Sequence, residues 1–223
     1  MSLFLDVPGL LFPEPIEAWA ELFLNRYLES SIPGWDALAD ELLPLWDACE
    51  LHGLAPQEGG DLFLRRLTEF HLRYADWGVI YPARNLNFGV WRMFGDPCWY
   101  RNVFQSGEIP FAQIEPVYRS LVVPYRDYVQ HLPEDEPIDN GLYMLWHMLL
   151  AHQHFAPRIE NLCLEILEEI LAIQDGRCQW AALHGLNHLE HPDRPSVVQR
   201  YIDRYGTPES LSALEAIRDG EAM

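Results

Sequence analysis

Between Pro157 and Gly176 apolar residues recur every three or four positions, as Ile159, Leu162, Cys163, Ile166, Leu167, Ile170 and Leu171. This spacing draws one apolar stripe along an α-helix and does not suit a strand, whose faces alternate at every second residue. Glu160, Glu165, Glu168 and Glu169 fall off the stripe, so the helix is amphipathic and has one face to bury. Such a helix needs partner surfaces, and the neighbouring segments supply them. Before it, Asp139 can cap a helix through Leu142, Leu145, Trp146, Leu149 and Leu150 that is apolar nearly all round, as a central, buried helix is. After Asp175-Gly176, helical spacing runs through Cys178 to Leu189 and through Ser196 to Tyr205. A last short helix follows Thr207-Pro208-Glu209 and carries Leu211, Leu214 and Ile217.

The first 74 residues also read as helices. Ile16, Trp19, Phe23 and Tyr27 form one stripe and Leu38, Leu42, Leu45, Trp46 and Cys49 a second, which Pro44 should kink. Phe63, Leu67, Phe70 and Tyr74 form a third, with Asp61 as its N-cap. Residues 75–112 lack clean helical periodicity. Phe88 to Phe94 suits a strand among turn signals at Pro82 and Gly95-Asp96-Pro97, so an irregular, aromatic-rich segment with a short hairpin is expected. Helical spacing resumes from Pro116 through Val117, Leu121, Tyr125 and Tyr128, with a kink expected at Pro124. The fold class is therefore all-α, built as stacked antiparallel helix pairs. A chain of 223 residues that is 49% hydrophobic buries a sizeable core, and a single domain over residues 1–223 is expected.

Charge and composition exclude several functions. The formal charge is −19, with 11 acids and one Arg in residues 1–60, 7 acids and 8 Arg in 61–132, and 16 acids and 6 Arg in 133–223. That field opposes nucleic acid and anionic membrane as partners. All 15 basic residues are Arg. Without lysine there is no Schiff base, no P-loop lysine and no kinase-type lysine. Cys49, Cys98, Cys163 and Cys178 form no C-x-x-C pair and read as reduced, mostly buried thiols. The start of the chain has no basic region before its apolar run, and the longest apolar stretch, Leu142 to Ala151, is short for a bilayer span. A cytoplasmic location is expected, and no cofactor.

Gln179-Trp180-Ala181-Ala182-Leu183-His184-Gly185-Leu186-Asn187-His188-Leu189, a short turn, then Ser196-Val197-Val198-Gln199-Arg200-Tyr201-Ile202 resembles one HEAT-type unit. The resemblance extends to residues 139–205 if the preceding helix pair is a neighbouring unit. It implies an α-solenoid-like stack and a protein-binding or scaffolding role. In size and charge the chain is also similar to small acidic bacterial immunity proteins that neutralise toxins.

Three groups of residues carry candidate chemistry. His184, His188 and His191 stand at i, i+4 and i+7, a spacing that lines imidazoles along one helix stripe and suits a metal ion, although the Glu of H-E-x-x-H is missing. His147 is the only ionisable group in its apolar run, where a buried imidazole serves as general base, ligand or hydrogen-bonded core residue. In the middle segment Arg73, Arg84, Arg92 and Arg101 interleave with Trp91 and Trp99, a composition favoured at binding hot spots. No G-x-S-x-G, G-x-G-x-x-G or calcium-loop spacing occurs. The function expected is a non-catalytic domain that binds a basic protein partner through its acidic surface. The alternative is a metal-dependent or general-base enzyme using His147 with His184 and His188.

Overall fold

The computed structural model describes residue 17 and residues 64–65, 67–83, 85–87, 89–90, 110–150 and 157–222. Every described element is helical, and no strand occurs among the described residues, in keeping with the all-α expectation. The chain divides into two units, residues 1–120 and 121–223.

In the first unit the stripe Leu64, Leu67, Phe70 and Tyr74 is buried, and it does not stop at residue 74. Trp77 continues it one turn further in helix α1 (Tyr74–Ile80), fully buried and stacked on Phe70 at 6.2 Å. Its indole N–H donates to the Phe70 carbonyl at 3.2 Å. This anchoring overrides the exposed, strand-favouring Val79 and Ile80. Residues 85–87 and 89–90 are helical as well, so the segment expected to be irregular from residue 75 is mostly helical where it is described, with breaks at Tyr81, Pro82 and Pro110. Of the expected strand-like run Phe88 to Phe94, Gly89 and Val90 are helical and the rest lies outside the described residues, as do both N-terminal stripes. Helix α2 (Phe111–Ser120) begins before the predicted Pro116, which lies inside it, and buries Ile114, Val117 and Tyr118.

In the second unit Pro124 has no N–H for the helical ladder, and the chain answers with a π-helical turn at Pro124–Tyr128 and a 3-10 turn at Val129–His131. Helix α3 (Asn140–Leu150) buries Leu142, Leu145, Trp146, Leu149 and Leu150, while Tyr143, Met144, His147 and Met148 are only half-buried. Helix α4 (Pro157–Leu171) buries the whole predicted stripe. Both pack against α5 (Gly176–His188), which also packs on α7 (Leu211–Asp219), and α7 packs on α6 (Arg194–Tyr205). The central helix is thus α5 and not the more apolar α3. No described helix is long and apolar enough to cross a membrane. Cys163 and Cys178 are free and buried, and burial pushes both thiols up, Cys178 to about 12.

The start of α5 is tied to the preceding turn through one guanidinium. Arg177 donates to both carboxylate oxygens of Asp175 and to the carbonyls of Pro133 and Glu136, each at 2.7 Å, and of Leu132 at 3.2 Å. A lysine ammonium cannot span these acceptors. Arg177→Lys is expected to lower the unfolding free energy by about 1–2 kcal/mol in urea titrations; an unchanged value would remove the latch from the account.

Candidate metal centre

Helix α5 starts where the Asp175 carboxylate accepts from the backbone N–H of Arg177 at 2.8 Å and of Cys178 at 3.3 Å. The hydrogen bond from Arg177, with these amides, holds that carboxyl below its ordinary range. The helix ends at His188, and Leu189 is already extended. His184 and His188, one turn apart, therefore share a face of α5. On α3, Tyr143 and His147 have the same spacing.

The two helices meet closely because Gly185 lies between them. A Cβ built there falls 2.8 Å from Trp146 Cβ, which cannot give way alone, and 2.6 Å from Leu167 Cδ2, the end of a flexible side chain. Trp146 precedes His147 and Gly185 follows His184, so the close approach of the backbones also brings the imidazoles together. His147 Nδ1 and His188 Nε2 are 2.9 Å apart. The ring centroids lie 4.4 Å apart for His147 and His188, 4.9 Å for His184 and His188, and 5.8 Å for His147 and His184. One nitrogen from each residue falls within 4.8 Å of the others.

The polar bookkeeping is unusual. A hydrogen bond between two imidazoles needs one nitrogen as donor and one as acceptor, so the nitrogen on one side of the His147–His188 contact is unprotonated. His184 Nε2 is buried and has no hydrogen-bond partner among the described residues. Burial, then the proximity of His147, lowers the His184 pKa from its ordinary value, which favours the neutral ring a metal requires. Tyr143 stacks on His184 at 4.8 Å and 26°, holding its ring plane. A tetrahedral zinc ion with Zn–N bonds of about 2.0–2.1 Å sets its nitrogens roughly 3.3 Å apart. The 2.9 Å between His147 Nδ1 and His188 Nε2 and the 4.8 Å bound on the whole group lie on either side of that spacing.

Of the histidines expected to act together, His184 and His188 meet and His191 does not. The helix stops at His188, ahead of Pro192, so the i+7 register is not carried to residue 191. His191 Nδ1 accepts from the Asp193 N–H at 3.1 Å, and Nε2 faces Asn161 Oδ1 at 2.7 Å. Both of its nitrogens are engaged, and His147 fills the third place. Tyr143 was not foreseen, although its position one turn before His147 was the available signal. Arg73 is partnered by Glu17 at 2.7 Å and lies over the Trp77 ring at 4.5 Å. Arg84, Trp91, Arg92, Trp99 and Arg101 lie outside the described residues.

Comparison with protein-family models, curated proteins and solved structures gives no match to this chain.

Proposed function

We propose that this chain is a transition-metal-binding helical protein whose centre is His147, His184 and His188. The observation that carries the reading is the convergence of one nitrogen from each of three imidazoles within 4.8 Å, in a cluster where His184 Nε2 is buried with no hydrogen-bond partner among the described residues. Buried polar atoms of that kind call for an explanation, and a metal ion supplies one. Imidazole-only donors suit zinc, nickel, cobalt or copper and not calcium or magnesium.

Zinc titration of untagged protein, followed by calorimetry, tests the proposal. One equivalent is expected to bind, and alanine at His147, His184 or His188 should each weaken binding about 100-fold or more, beyond the effect of losing an outer-shell partner. His191→Ala should bind as the unaltered protein does. Binding should weaken as pH falls, because protons compete for the same nitrogens; the lowered pKa of His184 means that this ligand resists protonation to lower pH than an ordinary imidazole. A chain that takes up no zinc at neutral pH, or one in which only His191→Ala weakens binding, contradicts the proposal.

A second reading, binding of a basic protein partner by a HEAT-like scaffold, is supported by the excess of acids over Arg in residues 133–223, with Glu134, Asp135, Glu165 and Glu169 exposed. The small residues Ala181, Ala182 and Gly185, buried along α5, support the repeat-like stacking. Toxin neutralisation belongs to this reading. Its affinity for a basic partner should fall steeply with salt.

A further inference from the structure

Resting on the metal-binding reading, the geometry points to an open centre: a divalent ion on His147, His184 and His188 keeps a fourth, exchangeable position for water or a small monodentate anion. Three nitrogens define one face of a tetrahedron, and the fourth vertex lies on the opposite side of the ion. Among the described residues no Cys, Asp or Glu joins the three histidines in the group that could supply that vertex. All three imidazole-bearing residues are half-buried, so the cluster lies at the edge of the seam between α3 and α5 and not in the core. Charge leads the same way. Three neutral imidazoles leave the full double positive charge of the ion uncompensated, which draws an anion, or lowers the pKa of a bound water so that hydroxide forms.

A closed structural site behaves differently, because its four protein ligands leave no place for exchange. The distinction matters for function, since only an open ion can activate water or polarise a carbonyl or phosphoryl oxygen. Tyr143 stacks on His184 at 4.8 Å, and the single remaining vertex admits one donor atom. The ligand class is thus a small, singly coordinating anion such as azide, thiocyanate or hydroxide.

The test is the visible spectrum of the full-length protein loaded with cobalt(II) chloride, before and after titration with sodium azide. Azide should produce a saturable shift in the position and intensity of the cobalt bands, in direct exchange for water. Bands of tetrahedral intensity that azide leaves unmoved would mean a closed site, overturning the open centre while leaving metal binding intact. Failure of cobalt to develop protein-dependent bands would overturn the metal-binding reading itself. His147→Ala, checked for retained helicity by circular dichroism, should lose the azide response; a variant that keeps it unchanged places the exchangeable position elsewhere and overturns the assignment. Where His147→Ala loses its helicity, His147→Gln takes its place and is held to the same outcomes.

Discussion

Gly185→Val is expected to cost the second unit about 3 kcal/mol or more of stability and to weaken zinc binding without touching a ligand. The reason is the built Cβ at 2.6 Å from Leu167 Cδ2, 2.8 Å from Trp146 Cβ and 2.9 Å from Trp146 Cγ. The Leu167 methyl is the end of a flexible side chain and can swing aside. Trp146 Cβ sits at the root of a fully buried side chain and cannot, so α3 itself must move away from α5. Valine adds two methyl groups to that conflict. Moving α3 carries His147 away from His184 and His188, which couples folding and metal affinity through one position. Gly185→Ala should lie between, since the gain in helix propensity of about 1 kcal/mol offsets part of the clash. Gly176→Ala is the control, because a Cβ there meets nothing within 4 Å. Urea unfolding and zinc titration of the three variants check the argument. If Gly185→Val stayed within about 0.5 kcal/mol of the unaltered protein, as ordinary surface changes do, the close seam would be wrong.

The same glycine shows why part of this fold was legible and part was not. The stripe from Ile159 to Leu171 is visible because large apolar residues carry the period, and all seven are buried. The central role of α5 is hidden, because its buried residues include Ala181, Ala182 and Gly185, whose smallness gives little hydrophobic signal yet permits close approach from several sides. Helix α3 has the opposite character: its sequence is more apolar, but Tyr143, Met144, His147 and Met148 keep one side half-exposed. At the site, the i, i+4 pair His184 and His188 follows from spacing alone. The sequence groups His147 with them only in the enzyme alternative and without geometry, because its place depends on which faces of two helices meet, and excluding His191 requires knowing that the helix stops three residues earlier. The helix at residues 75–80 is hidden in the sequence for a related reason, since it is held by the fit of Trp77 on Phe70 and not by local propensity.

Acid is expected to destabilise the first unit through His71, the second large effect. His71 is 2% exposed, and its burial lowers the imidazole pKa from 6.5 to about 3. Its Nδ1 lies 2.9 Å from Ser120 Oγ, and Ser120 donates its single hydroxyl proton to the Val117 carbonyl at 2.7 Å. With that proton on Val117, Ser120 accepts from His71 Nδ1–H, an arrangement that suits the neutral imidazole and leaves the serine without a base to activate it. A second proton could enter only at buried Nε2. Between pH 6.5 and 3 the unfolded chain holds a proton on this residue that the folded chain refuses. Folding stability contributed by neutral His71 is thus complete above pH 6.5 and is lost as pH falls towards 3, by about 1.4 kcal/mol per pH unit, or roughly 4 kcal/mol by pH 3.5. Asparagine at residue 71 can keep a donor towards Ser120 but cannot titrate. Urea unfolding at a series of pH values should show the unaltered protein losing stability more steeply than His71→Asn by that slope between pH 6 and 4. Parallel profiles would mean that His71 accepts its proton in the folded state, and that the buried pair is not the neutral one its hydrogen bonds require.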